Sequence, residues 1–395
     1  MTSVSSVKSQ PQRLSKIDAV PLLDLGRQYK QIREEVLAAI ERVCASQQFI
    51  LGAEVEALER EIADYTGAIA AIGCSSGTDA IWLALAAFGV QPGDRVITTA
   101  FSFFASASAV VRVGARPVFV DIDPQTLNMN RAQVEAAFQR GTGSGVRALL
   151  PVHLYGQPTD MTSLRKIARE FRVPIIEDAA QAIGAEWEGR RAGSLGEAAT
   201  FSFYPTKNLS AYGEAGMVCT DNLDRASHMR GLRNHGSVLR YHHQELGWNA
   251  RMDAIQAAVL RVKLKYIDEW NRQRRLRADE YARLFAKVGL LSATDNVVRV
   301  PSAAQPAYHV FHQYVIRAQR RDELRQFLTE RKIGTEIYYP VPLHLQPCFA
   351  YLGYREGDFP EAERAAREVL ALPMFPELTG EEQQRVVQSI AEFYS

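Results

Sequence analysis

Apolar positions recur at helical spacing over residues 28–46 (Ile32, Val36, Leu37, Ile40, Val43) and again over 54–65, which predicts two helices, each with one buried face. From residue 68 the pattern changes. Short apolar runs at 68–73, 95–99, 117–122, 146–152, 173–176, 198–204 and 216–220 alternate with helical stretches at 80–88, 100–110, 131–140 and 161–171. Alternation of this kind predicts an α/β fold, a mainly parallel sheet with helices on both faces. The stretch 100–110 is read as a helix whose first turn carries Phe101, Phe103 and Phe104. Helical patterning dominates 250–287 (Ile255, Ala258, Val259, Val262, Tyr266, Trp270) and is long enough for two helices or for one that connects domains. Beyond it, strands at 313–316 and 335–339 and helices at 322–332, 360–370 and 380–394 predict a smaller α+β domain. The chain therefore divides into a tail (1–21), a large α/β domain (22–255) and a small C-terminal α+β domain (256–395).

Composition narrows the class. A chain of 395 residues with 47% hydrophobic content can bury an extensive core shared by two domains. Its 46 basic and 45 acidic residues leave a net charge of +1, so there is no footprint for nucleic acid or a membrane surface, and any phosphate must be bound locally. The four cysteines, Cys44, Cys74, Cys219 and Cys348, show no CxxC spacing and suit free thiols in a reducing cytosol. No apolar stretch approaches the roughly 20 residues of a membrane-spanning helix. The polar residues 1–19 lack the apolar centre of a signal peptide. A cytoplasmic location is expected.

Several stretches carry candidate chemistry. CSSGTDA (74–80) lies between a strand and an apolar helix; backbone N–H groups there can face an anion, although an ordinary Ser or Thr cap has the same look. GTGSG (141–145) follows a helix and precedes a strand without GxGxxG spacing, so it reads as a linker and argues against a nicotinamide-dependent oxidoreductase. Asp178 ends an apolar run in EDAAQ, where an open α/β sheet places functional acids and where helix caps also occur. Lys207 follows the run 198–204 directly after its break at Pro205, with Asn208 and Gly213 to turn the backbone. A lysine desolvated at that place is a candidate Schiff-base former; a solvated loop lysine is the alternative. His235, His242 and His243 have no carboxylate or cysteine at ligand spacing, and no metal site is expected. YYPVPLHLQP (338–347) reads as an ordered loop bordering a site.

In order, SSGT (75–78), Phe103, Asp178 with Gln181, Ser202 with Lys207, GWNARM (247–252) and YYPVPLH (338–344) resemble the sugar-nucleotide aminotransferases of the DegT family. The resemblance spans about residues 22–395. It implies the aspartate-aminotransferase fold and pyridoxal 5'-phosphate as cofactor, with pyridoxamine phosphate as its aminated form. Lys207 would form the Schiff base and then shuttle protons. Asp178 would pair with the pyridine nitrogen and Gln181 would hydrogen-bond the phenolic oxygen, with Phe103 and Ala180 on the two ring faces. Gly77, Thr78 and Ser202 would hold the phosphate, completed by Asn249 from the neighbouring subunit, so that active sites are shared in a homodimer. Arg251, also from that subunit, with Tyr338, Tyr339 and His344, would contact substrate. Dehydratases of the family have histidine in place of the lysine; Lys207 therefore favours transamination. GWNARMDAIQAAVLRVKL (247–264) is similar to members acting at C3. The implied activity is transfer of an amino group from L-glutamate to a keto group, at C3, of a nucleotide-linked hexose. The alternatives are a C4-aminotransferase of a 4-keto-6-deoxy sugar nucleotide and a regulatory protein without catalysis.

Overall fold

The computed structural model describes residues 18–139, 145–291 and 297–395. Helices α1 (Leu25–Ser46) and α2 (Ala53–Thr66) lead into a sheet of seven strands: β1 (Ala70–Cys74), β2 (Arg95–Thr99), β3 (Arg116–Val120), β4 (Val146–Leu150), β5 (Ile176–Asp178), β6 (Ala198–Ser202) and β7 (Gly216–Thr220). The three-stranded part β3-β2-β4 and the four-stranded part β5-β6-β7-β1 meet through parallel bridges, Leu149 to Ile175 and Val152 to Asp178. Only β7 runs antiparallel to its neighbours. Its register sets the geometry that matters. Gly216 lies opposite both Cys74 and Ser202, and Asp178 lies opposite Thr200, so β1, β5 and β6 all end at the same edge of the sheet.

The helices α3 (Gly77–Ala87), α4 (Ala105–Arg112), α5 (Arg131–Gln139), α6 (Met161–Phe171), α7 (Leu223–Leu232) and α8 (Ala254–Leu264) cover the sheet. Successive strand residues point to opposite faces, and the cores divide accordingly. Ala71, Ile97, Leu149 and Ala199 join α1, α2, α6 and α8. Their neighbours Ile72, Val96, Ala148 and Ala198 join α3, α4 and α7. The 250–287 pattern resolves into α8 and α9 (Ile267–Lys287). Ile267 and Trp270 of α9 belong to the first core, whereas Ala278, Tyr281, Leu284 and Phe285 belong to a third. That third core contains the antiparallel sheet β8 (Val298–Arg299), β9 (Tyr314–Ala318) and β10 (Val369–Leu372), with α10 (Arg321–Glu330) and α12 (Gly380–Tyr394). A fourth cluster, in which Phe101, Phe119 and Leu154 meet Phe349, Phe359 and Ala362 of helix α11 (Pro360–Glu368), joins this layer to the large sheet.

Four sequence expectations are corrected. The helix expected over 100–110 begins only at Ala105; the Phe101 N–H turns back to Thr99 Oγ1, and the three phenylalanines precede the helix. The strand expected over 335–339 is reduced to a single bridge between Glu336 and Ala371; Pro340 and Pro342 follow at once and have no N–H to extend a ladder. The helix expected over 360–370 stops at Glu368, because Val369 is already extended and pairs with Arg317. The run 198–204 is strand only to Ser202. Of the linker at 141–145, residues 141–144 lie outside the described residues.

Candidate active site

Asp178 closes β5 and is buried. Its Oδ2 accepts from Ser106 Oγ at 2.7 Å, and its Oδ1 accepts from the Ala180 N–H at a longer 3.3 Å. Burial pushes its carboxyl above the ordinary aspartate range, opposed by Ser106, the Ala180 N–H, Lys207 and His153. Lys207 lies half-buried in the connection between β6 and β7, where its N–H closes a turn on the Tyr204 carbonyl at 2.8 Å. Its ammonium is pushed down to about 8 by burial, against the pull of Asp178. A cation and an acid thus share one desolvated edge of the sheet.

The start of α3 meets them there. Ser76 caps the helix, its Oγ accepting from the Asp79 N–H at 3.1 Å. The first N–H groups of any helix have no partner within it and attract negative charge. A Cβ at Gly77 would sit 2.6 Å from Ser202 Cβ, and one at Gly216 would sit 2.2 Å from the Ser76 carbonyl oxygen. Glycine at both positions lets the helix start press against β6 and β7. Asp79 also accepts from Ser75 and Ser76 and pairs with Arg112. The Arg112 guanidinium lies 4.8 Å from the ring of Trp82 and 5.5 Å from that of Trp248, which anchors the segment preceding Asn249 to α3 and α4.

Gln181 is held on both sides of its amide: Oε1 accepts from the Tyr155 N–H at 2.6 Å and Nε2 donates to Tyr339 Oη at 3.1 Å. Tyr155 Oη donates to the Tyr338 carbonyl. The Phe103 ring, 56% exposed, stands 6.1 Å from that of Tyr339. Ala180 and Thr78 are half-buried at the same edge. The structure therefore gathers Asp178, Ala180, Gln181, Phe103, Tyr338 and Tyr339 with Lys207, and gathers Gly77 and Thr78 with Ser202. Asn249 is exposed, and Arg251 donates to Asn234 Oδ1 at 3.0 Å within its own chain. His344 faces elsewhere. Its Nε2 is paired with Glu363 at 3.0 Å and its ring packs on Phe359, and burial lowers its affinity for a proton.

A family model described as the DegT/DnrJ/EryC1/StrS aminotransferase family matches residues 30–391. The chain belongs to this family. Among DegT-family relatives, a "pleiotropic regulatory protein" of Geobacillus stearothermophilus is 54% identical over 375 residues, covering 95% of this chain and 98% of that one. A UDP-N-acetyl-3-dehydro-alpha-D-glucosamine 3-aminotransferase of Acidithiobacillus ferrooxidans is 42% identical over 372 residues, covering 94% and 97%. The crystal structure of Streptomyces venezuelae DesV in complex with a ketimine intermediate superposes with a TM-score of 0.90 at 42% identity, covering 95% and 98%. The fold is accordingly that of the pyridoxal-phosphate aminotransferases, and a similar solved structure, Bacillus subtilis NtdA at 32% identity and a TM-score of 0.86, holds the cofactor as pyridoxamine phosphate.

The residues present fit that cofactor. A glycine-cleared helix start provides for a phosphate, a buried carboxylate with one nearly free oxygen provides for a cationic ring nitrogen, and a lysine with lowered pKa provides the amine. Among the described residues no helix is long and apolar enough to cross a membrane, and no cluster of metal-ligating side chains occurs.

Sequence reasoning missed two groups at this edge. Ser106 was hidden in an alanine-rich stretch; the recurrence of serine at 102 and 106, four apart on a buried face, was the available signal. His312 is also buried, with its Nδ1 3.1 Å from Asn208 Oδ1, and is held well below the usual histidine range by burial, Lys207 and Arg274. Its position depends on residues 310–313, just before β9, bonding to Tyr155, Gly156 and Asn208, which no local pattern reveals.

Proposed function

We propose that the chain moves an amino group from L-glutamate to the C3 keto group of a nucleotide-linked hexose, in a homodimer whose two sites are each completed by Asn249 and Arg251 of the neighbouring subunit. The observation that carries the reading is the placement of Lys207 beside Asp178 at the sheet edge where α3 begins. The regiochemistry draws on the 3-aminotransferase named in Acidithiobacillus ferrooxidans. We also propose a division into a part that would hold the cofactor, 22–255, and a smaller C-terminal part, 256–395, whose first residues, in α8 and the start of α9, pack on the large sheet.

Pyridoxal phosphate, when bound, supplies a carbonyl that condenses with amines and a ring that accepts electrons. The chain supplies the rest. With its ammonium pushed down to about 8, Lys207 has a larger free-amine fraction near neutral pH than an ordinary lysine; its free amine would be the group that takes and returns a proton. Asp178 would hold positive charge at the ring nitrogen. Gln181, Phe103 and Ala180 would hold the ring, and the N–H groups at Gly77 and Thr78 with the Ser202 hydroxyl would hold the phosphate. Tyr338 and Tyr339 border the substrate side.

An absorption spectrum of the protein reconstituted with pyridoxal phosphate tests this. A visible band that L-glutamate shifts into the near ultraviolet is expected, and NMR of the product from a 3-keto nucleotide sugar should place nitrogen at C3. Nitrogen at C4 would move the assignment to the 4-keto-6-deoxy reading. The similarity to the pleiotropic regulatory protein of Geobacillus stearothermophilus favours a regulatory role as the second reading; a band that no amino acid shifts would support it. Absence of any band would overturn the role of Lys207.

A further inference from the structure

We propose that Ser106, backed by Ser102, is the positioning residue that aims the Asp178 carboxylate at the cofactor's ring nitrogen. The inference rests on the reading of Asp178 given above and adds the means by which that acid is held.

The hydrogen bonds have one consistent arrangement. Ser106 Oγ lies 2.7 Å from Asp178 Oδ2 and 2.8 Å from Ser102 Oγ. A hydroxyl has one hydrogen, and an ionised carboxylate only accepts. Ser106 therefore donates to Asp178, and Ser102 donates to Ser106. All three side chains are buried, Ser106 at 0% and Ser102 at 4% exposure, so no solvent competes for these bonds. Two hydroxyls in series polarise each other and strengthen the terminal bond to a charged acceptor. The other groups facing the carboxylate include the Ala180 N–H at 3.3 Å, with Lys207, His153 and Tyr339 interacting through charge. Of all these, Ser106 opposes the effect of burial on Asp178 most.

The consequence is an orientation as well as a charge state. With Oδ2 tied to Ser106, Oδ1 keeps only the long Ala180 contact and is the oxygen left for a cation. The tie comes from α4, one residue into the helix, and Phe103 stands three residues earlier. One short segment thus provides both a ring-facing aromatic and the support of the acid that meets the ring nitrogen.

The test uses full-length protein reconstituted with pyridoxal phosphate carrying nitrogen-15 in the ring, comparing wild type with Ser106→Ala, Ser106→Cys, Ser102→Ala and Asp178→Asn. The nitrogen shift reports directly whether the ring is protonated, which a purely packing role for Ser106 would not move. Ser106→Ala should lose the ring proton about one pH unit earlier, bind cofactor about tenfold more weakly and lower kcat about tenfold, the cost of one hydrogen bond to a charged group. KM for the amino donor should stay unchanged. Ser106→Cys, isosteric with a weak donor, should fall between, and Ser102→Ala should shift the nitrogen titration in the same direction by less. If Ser106→Ala does not fold, the cysteine and Ser102 variants carry the same comparison. A wild-type nitrogen titration in the serine variants, with Asp178→Asn altered, would overturn the role of Ser106 and leave the reading of Asp178 intact. An unaltered Asp178→Asn would overturn both.

Discussion

Two lysines share the same physics and differ in what their sequence context reveals. Lys207 and Lys263 are both pushed down to about 8 by burial. Lys207 announces itself, because it follows an apolar strand broken by proline. Lys263 sits inside α8, where nothing in its sequence context marks it; the structure buries it, with Nζ 2.8 Å from Ser210 Oγ and 4.5 Å from the Tyr212 ring. Period and composition do not tell which polar residue of a helix will meet a neighbour's hydroxyl. The functional test separates them. Lys207→Ala should lower turnover by at least about a thousandfold, the loss of a nucleophile and proton carrier together, with the melting temperature retained in a parallel thermal scan. Lys263→Met should instead change the pH dependence of stability. Between about 8 and 10.5 the unfolded chain keeps the lysine proton that the folded chain has lost, so wild-type stability rises with pH across that window. Urea denaturation at pH 7.5 and pH 10 (~2.5 units apart) should show a larger gain for wild type than for Lys263→Met. Equal gains would mean that Lys263 is solvated.

At the scale of elements, the strands of the large sheet were legible because each is a short apolar run between helices, and most of their boundaries hold within a few residues. The failures cluster at the small layer and at the site. Val369–Leu372 continues an apolar stretch that helical spacing also accommodates, and only pairing with Tyr314–Arg317 decides for strand. The segment 335–339 has strand composition but ends in Tyr-Tyr-Pro, and Tyr339 faces Gln181 and Phe103 rather than a ladder. The junction of α3 with β6 was legible only as an anion-binding turn; the close approach that makes it one is a tertiary fact. Gly77→Ala tests the junction. The added Cβ would meet Ser202 Cβ at 2.6 Å and Ser202 Cα at 3.1 Å, so the helix start must move away from β6. Overpacking of this kind costs about 1–3 kcal/mol, measurable by urea denaturation. The same displacement should raise the dissociation constant for pyridoxal phosphate about tenfold or more in a fluorescence titration, because the N–H groups and the Ser202 hydroxyl no longer converge. Full affinity in a destabilised Gly77→Ala protein would take the phosphate away from this junction.

At the scale of the whole molecule, the resemblance assigns part of the constellation to a second subunit. Asn249 is exposed, and Arg251 is engaged with Asn234. The same connection, from Ser237 to Trp248, displays Leu239, Tyr241, Trp248 and, at 93% exposure, Leu246. Apolar side chains grouped on one projecting loop mark a surface that another chain covers. The loop is anchored to its own subunit through the packing of Trp248 against Trp82 and Arg112, so it is held in place before any partner arrives. If a second copy takes the loop, a two-fold axis makes the exchange reciprocal, each subunit giving Asn249 to the other and receiving it back. That symmetry yields a quantitative expectation. Lys207→Ala and Asn249→Ala proteins should each be impaired, the first completely. In mixed dimers one site carries both defects and the other carries none. About half of randomly reassorted dimers are mixed and one of their two sites is intact, so co-refolded protein should recover about a quarter of wild-type specific activity. Activity no greater than the average of the two variants would show that each chain completes its own site. The exposed loop would then need a different occupant.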